Sequence, residues 1–401
     1  MVTRPDDTSV YVADEPVDRG RVVLPITVTH GRSGFANQPD APTCAFDWVG
    51  EDPPGQVGDA LMVVTQYPTL DRAGWVDPGW RWQDPGTTWL GFNAVSVRFA
   101  GSIGSLTAIE EDGQVTGYEV TGIGVLARLG NIHIRANNPK ELDTVRVARL
   151  MANAGITDFR IDGTASLLLA EDEGNRSLLS ALHEICAWTG ALLWQDRAGT
   201  IVYGAYNHRD QPAVQVLDAE QIADGMEWSR DQSNIINRVT VGWVDDDGDH
   251  TTLYQDAASV VEWGQREASV DTRLWDGGQA LVGQMVLFRR SQPRWVMPGV
   301  LIDGASNTDP QERAALDLDV SHGVLLPVSP VPGPTPSPVS AWSVEGWVDV
   351  IDTFPTMQLS LTDRTQYSFG TINTWSDVAA QSWRFWSDRG TWRDQLVKAG
   401  A

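Results

Sequence analysis

The sequence predicts a mainly β, α+β chain, and three observations point to that class. Apolar residues between Arg21 and Leu361 mostly alternate with polar ones at the two-residue period of a half-buried strand. Clusters of Gly, Pro, Asp and Asn bound those runs, as turns between strands require. Helical spacing is sustained in one stretch only, Asn138 to Tyr206.

Residues 1–18 are polar and read as a flexible N-terminal arm. Arg21 to Thr29 sets Val22, Leu24, Ile26 and Val28 against Pro25, Thr27 and Thr29; because Pro25 lacks an N–H for the ladder, an edge strand is expected. Thr43 to Trp48 places Cys44, Phe46 and Trp48 on one face, and Gly58-Asp59 leads into a strand from Ala60 to Val64. A loop rich in Gly, Pro and Trp follows, Tyr67 to Trp89. Val95 to Phe99 is the next strand, and Leu106 to Ile109 pairs with Val115 to Val120 around Glu111-Asp112-Gly113.

In the helical stretch, Asn138-Pro139-Lys140-Glu141 supplies an N-cap, a proline at the first helical position and a glutamate able to reach back to the cap. Leu142, Val145, Ala148 and Ala152 form the apolar line, widened by Val147, Leu150, Met151 and Ala154, and Gly155 ends it. A second helix starts at Ser177, carries Leu178, Leu182 and Ile185 on one line, and stops at Gly190. Ala191 to Trp194, a turn at Asp196 to Gly199 and Thr200 to Tyr203 then read as a hairpin.

Strands resume from Ile235 to Val244, with Val239, Val241 and Trp243 on one face, and turn at Asp245 to Asp249 into Thr251 to Tyr254. Asp309 to Asp319 fits a short helix. The proline-rich run 326–339 is a semi-rigid linker, and Ala341 to Val350 and Thr356 to Leu361 are strands. The chain is thus divided into an arm (1–18), a β unit (19–125), a two-helix and hairpin insert (126–210), a second β unit with return strands (211–325), the linker, and a Trp-rich C-terminal region (340–401).

At 401 residues, two to four domains are expected. The net charge of −24, from 29 basic and 53 acidic residues, argues against nucleic acid as a bound ligand and against docking on an anionic membrane. Two cysteines, Cys44 and Cys186, make neither a disulfide framework nor a zinc site. The polar N-terminus lacks the apolar region of a cleaved signal, and no apolar run reaches the length of a membrane span, so a soluble chain made in the cytoplasm is expected.

Candidate chemistry is sparse. Gly122-Ile-Gly124-Val-Leu-Ala127 has the outline of a dinucleotide fingerprint but lacks its parallel βαβ context, so a tight bend is the better account of the glycines. Asp245, Asp247 and Asp249 have calcium-loop spacing, yet His250 stands where the loop needs glycine and Asp256 replaces the bidentate glutamate. His183, three residues before Cys186, reads as a helix-surface histidine beside a buried thiol. No catalytic residue, cofactor site or metal site is therefore assigned. The loop tryptophans Trp75, Trp80, Trp82 and Trp89 are the candidate platform for a glycan or a partner. In the tail, Trp375, Trp383, Trp386 and Trp392 fit either a docking strap, with tryptophans filling a neighbour's pockets, or the closure of the C-terminal region's own small core.

Several of these segments together resemble the tail-hub proteins of tailed bacteriophages. Gly58 to Val63 with Phe99-x-Gly101-x-Ile103 is similar to the first barrel of that family. The capped helices, Ala191 to Tyr203, and Asn234-Ile-Ile-Asn237-Arg-Val239-Thr-Val241 are similar to its middle. The proline-rich run before a Trp-rich terminus resembles minor tail proteins of phages infecting actinobacteria. The resemblance implies tandem β-barrels in a homotrimer that closes the tail tube at the virion tail tip after assembly in the host cytoplasm. It also implies the distal tail protein, the tape-measure protein and tip-fibre or host-binding proteins as partners, with DNA passing through the lumen unbound. Alternatives are a carbohydrate-binding or cell-wall-binding tail module, prompted by the tryptophans, and a cell-wall hydrolase.

Overall fold

A computed structural model describes residues 7–32, 38–68, 93–163, 168–206, 208, 215–217, 222, 229–230, 232–275, 278–304, 314–326, 340–352 and 355–363. The mainly β, α+β class holds, built on one 13-stranded sheet and several small ones. From one end the large sheet runs through Trp295–Asp303, Thr356–Asp363, Ser340–Ile351, Val22–Gly31, Asp40–Val49, Gln114–Gly124, Asn93–Glu111, Ala60–Pro68 and Asp7–Val12. Its successive pairings along this path are antiparallel. Side chains from both ends of this path, such as Val10, Leu61, Phe99, Trp347 and Leu359, share one apolar core.

Strand Asn93–Glu111 is the joint in this sheet. Its first half pairs with Ala60–Pro68 and its second with Gln114–Gly124, with the register shifting between Ile103 and Ser105. Gly101 sits at the crossover, where an added Cβ would run into the Ile123 carbonyl and the Phe99 ring.

Four sequence expectations change here. Residues 1–18 contain more than an arm: Asp7–Val12 pairs with Ala60–Pro68, and Val10 and Val12 are buried. Alternation within Asp-Thr-Ser-Val-Tyr-Val is strand-like, and an existing sheet edge satisfies its backbone. Val22–Gly31 is interior rather than an edge, lying between Asp40–Val49 and Ser340–Ile351. At Pro25 itself the strand is open, because pairing with Ser340–Ile351 begins only at Ile26 and the register with Asp40–Val49 shifts between Val23 and Thr27, so no ladder N–H is paired there. Ser340–Ile351 and Thr356–Asp363 are not a region beyond a linker; they are central strands joining the front and back parts of the chain. Finally, residues 211–325 do not form a second unit by themselves. Trp295–Asp303 and Gly323–Leu326 belong to the large sheet, whereas Arg238–Asp245, Gly248–Gln255 and Glu267–Asp271 make a separate three-stranded sheet.

That small sheet packs with the insert. Helix Gly278–Arg290 brings Val282 into the same core as Leu150, Leu182, Ile185, Tyr203, Val239 and Val241. Within the insert, Ser177 caps helix Leu178–Thr189 by accepting from the Ser180 N–H at 3.2 Å, and Gly190 ends it at φ +71°. The hairpin pairs Leu192–Gln195 with Ile201–Gly204, to which Phe159–Asp162 adds in parallel.

The first insert helix begins later than its sequence signals suggest, at Asp143, with Leu142 in the N-cap position and no side-chain cap. Asn138 and Glu141 are engaged by guanidiniums instead. Arg149 donates to Asn138 Oδ1 at 2.9 Å and to Glu141 Oε1 at 2.5 Å, and Arg146 donates to Glu141 at 3.2 Å. Glu141–Leu142 pairs with Leu168–Leu169, a bridge that competes with an earlier helical start.

Candidate functional site

The loop tryptophans Trp75, Trp80, Trp82 and Trp89, and the tail tryptophans Trp375, Trp383, Trp386 and Trp392, lie outside the described residues. Among the tryptophans on described strands, Trp48 and Trp194 are buried. Trp243 is half-buried, donates to Thr252 Oγ1 at 3.1 Å and stacks on His250.

The glycine-rich bend at Gly122–Gly124 is explained by packing. A Cβ at Gly122 would strike Leu61 and the Phe99 ring, and one at Gly124 would strike the Gln195 side chain. The N–H of Leu126 that follows is taken by Gln195 Oε1 at 3.0 Å, and Gln195 Nε2 donates to the Ala100 carbonyl at 2.7 Å. The Asp245 turn is a hairpin tip: Asp245 accepts from the Asp247 N–H at 2.8 Å and faces His250 Nε2 at 2.8 Å. Among the described residues no group of three or more His, Cys, Asp or Glu side chains is placed to hold a metal ion. Cys44 and Cys186 are buried thiols whose pKa values burial pushes up, so neither is poised as a thiolate. No described helix is long and apolar enough to cross a membrane.

What the fold does bring together is a buried seam of charge where the insert hairpin meets the large sheet. The turn at Asp196–Gly199 closes on itself, with Asp196 N–H donating to Thr200 O and Thr200 N–H to Asp196 Oδ1, both at 2.9 Å. This fixes Arg197 pointing into the sheet. Its guanidinium donates to Asp349 Oδ2 at 3.1 Å and to the Leu318 carbonyl through Nε at 3.2 Å and Nη2 at 2.7 Å. Its backbone N–H donates to Asp319 Oδ2 at 3.0 Å, and its Cζ sits 3.6 Å from the Trp347 ring centroid.

Asp349 also faces Arg98 at 3.4 Å, and Arg98 donates to the Leu316 carbonyl. Four residues earlier on the same strand as Asp349, Glu345 is gripped by Arg32 through Nε at 2.8 Å and Nη2 at 2.6 Å, while Thr362 donates to the other Glu345 oxygen. His30 stacks on Trp347 with ring centroids 4.2 Å apart. Burial, reinforced by the charge on Arg197 and opposed by Asp319, pushes its pKa down to about 3, so the ring is neutral.

Buried charges persist only when paired and hydrogen-bonded, and here Asp319, Glu345 and Asp349 each meet a guanidinium or a backbone N–H. Such a set holds the insert hairpin in register with the large sheet. Sequence reasoning missed it. One signal was present: on Ser340–Ile351 the acids Glu345 and Asp349 share the inward phase with Trp347, while the intervening Val348 and Val350 are more exposed. That is the reverse of the usual pattern for a strand.

No family model and no curated protein matches the chain. Solved structures do share its architecture. The tail protein from Neisseria meningitidis MC58 aligns with TM-score 0.62 at 14% identity, covering 90% of this chain and 98% of that one. This chain has the fold of that tail protein. The 43 kDa tail protein of prophage MuSo2 from Shewanella oneidensis aligns with TM-score 0.59 at 12% identity over 90% and 99% of the two chains. The prophage tail protein gp18 from Listeria monocytogenes EGD-e gives TM-score 0.52 at 9% identity over 94% and 98%. At these identities the fold is what is shared, and it spans nearly the whole of each chain. These neighbours lend no support to an actinobacterial host.

Proposed function

We propose that this chain is a structural protein of a phage-type tail, acting as the tail-tip hub that closes the tube and connects it to neighbouring proteins. The observation that carries the reading is the whole-chain agreement with the Neisseria tail protein, 90% of one chain against 98% of the other. The charged seam supports it, since its ion pairs serve to clamp two parts of one subunit. In this reading three copies form a ring at the virion tail tip, assembled in the host cytoplasm, with no catalytic role. Its neighbours are the distal tail protein, the tape-measure protein and tip-fibre or host-binding proteins. The Trp-rich segments around Trp75–Trp89 and Trp375–Trp392 are docking elements in the same proposal. The net charge of −24 suits a bore through which DNA slides without adhering.

The test pairs a mass measurement of the purified chain with immunogold labelling of particles. A mass of three chains and gold at the tail tip are expected. Particles that lack the chain, or carry label on the head alone, would sink the proposal. Acidic residues confined to the outer wall of the ring would remove the bore argument by itself.

A further inference from the structure

The outer face of the large sheet carries an ordered patch that nothing in the described chain covers. Register defines it in three rows across the strands containing Val23, Asp47, Glu119 and Thr107. Thr27, Ala45, Thr121 and Ser105 align in the first row; Val23, Asp47, Glu119 and Thr107 in the second; Val49, Gly117 and Ile109 in the third. Along Asp40–Val49 the opposite phase, Cys44, Phe46 and Trp48, is buried in the core.

Two properties of this patch are unusual together. Val23 (40% exposed), Val49 (53%) and Ile109 (37%) present large apolar side chains to solvent at one end of the sheet, with Leu24 (40%) beside Val23. Between them Asp47 and Glu119 stand directly opposite each other on neighbouring strands. Like charges at directly opposed positions destabilise a sheet, and neither carboxylate has an ion-pair partner among the described residues. The rest of the exposed patch, Thr27, Ala45, Ser105, Thr107 and Thr121, is short-chained, so it does not screen the two acids.

We propose that this face is a docking surface for a partner protein that presents arginine or lysine between apolar side chains. The cation sits between Asp47 and Glu119, and the apolar groups cover Val23, Val49 and Ile109. Charge complementarity chooses this occupant over a second copy, because the chain carries −24 overall and acids at the centre of the patch. The proposal rests on the tail reading only for where that partner is found, namely in the neighbouring chain of the particle.

The test uses the purified full chain and a labelled strand-forming peptide that alternates valine and arginine. Binding is followed by fluorescence anisotropy for the wild type, for Asp47→Lys with Glu119→Lys, and for Asp247→Lys with Glu262→Lys. The last pair changes net charge equally at exposed acids elsewhere. Salt-sensitive binding that falls about tenfold or more in the first variant and stays near wild type in the second supports the surface. Equal weakening in both variants would mean attraction to net charge alone and would overturn it, as would a wild type that does not bind. A photo-crosslinker at Val49 in assembled particles supplies the second arm. Capture of a basic segment of a neighbouring protein supports the surface, and capture of another copy of this chain overturns it. Particles without the chain would count against the tail reading, with the peptide result still deciding the surface.

Discussion

Arg197 lies over Trp347, its Cζ 3.6 Å from the ring centroid, while the same guanidinium pairs with Asp349 two residues further along the strand. One side chain from a hairpin turn of the insert is thereby fixed by charge, by the Leu318 carbonyl and by an aromatic face of the large sheet. Replacing Arg197 by Met is expected to cost about 3 kcal/mol, because Asp349 stays buried with one of its two guanidinium partners removed, while Asp319 keeps the backbone N–H of residue 197. Lysine should recover little of this: an ammonium cannot make the fork to Leu318 or lie flat on the ring. Urea denaturation measures the loss, and limited proteolysis should show the insert hairpin becoming accessible first. Wild-type stability in Arg197→Met would show that the seam contributes nothing to the fold.

His30 makes stability depend on pH. Its folded pKa is pushed down to about 3 by burial, against about 6.5 in an unfolded chain. The unfolded state therefore binds the proton first as pH falls. The contribution is fully present above about pH 6.5 and is lost on the way down to about pH 3, at ~1.4 kcal/mol per pH unit. His183 and His322 are shifted in the same direction by burial and add to the slope. His30→Phe keeps a flat ring against Trp347 and should reduce the loss of stability between pH 6.5 and 4 without abolishing it. Thermal melts across that range check this, and parallel wild-type and variant curves would contradict it.

Glu141 acts at lower pH. Burial alone would raise its pKa, but hydrogen bonds and charge from Arg149 and then Arg146 outweigh it and hold the carboxyl below its ordinary value. Its stabilisation is present above the unfolded value of about 4.3 and is lost as pH falls through the depressed folded value. Glu141→Gln should therefore lower stability at pH 7 and leave it nearly unchanged at pH 2–3, measured by chemical denaturation.

How much of this was legible follows from what each element depends on. Strands whose phase is set by local alternation, such as Cys44, Phe46 and Trp48, were readable because one face alone is buried. The second insert helix was readable because Ser177 and Gly190 act within their own turns. The first was misplaced at its start because Asn138 and Glu141 answer to Arg146 and Arg149, a tertiary competition that local cap signals do not register. Pro25 signalled an edge because a register shift is a property of two strands, and one strand was in view. The seam was hidden for a similar reason: Arg98, Arg197, Asp319 and Asp349 come from four separate segments, and Arg197 sits in a turn where an exposed arginine is the ordinary expectation.

Gly190 and Gly155 both end insert helices in the left-handed region, at φ +71° and +73°, and they separate two costs. Around Gly155 an added Cβ meets open space, so Gly155→Ala should cost only backbone strain, about 1 kcal/mol. At Gly190 the same atom would meet the flexible Sδ–Cε end of buried Met285 on helix Gly278–Arg290, which must turn aside, adding about 0.5–1.5 kcal/mol. The prediction is a clearly larger fall in denaturation midpoint for Gly190→Ala. Adding Met285→Ala should relieve the clash and bring the remaining difference below the sum of the single effects.

Glu119→Lys separates folding from recognition on the outer face. It turns the directly opposed Asp47–Glu119 pair into opposite charges and should stabilise the sheet by about 0.2–1 kcal/mol, the usual size of a cross-strand pair effect. A protein selected for its fold alone would have no reason to retain the repulsive arrangement. If the face receives a cation from a partner, the same substitution fills that position with the chain's own lysine, and binding of the valine–arginine peptide should fall even as the melting temperature rises. The two readouts move in opposite directions only on this account. A variant that is more stable and binds equally well would leave the opposed acids as an ordinary surface feature.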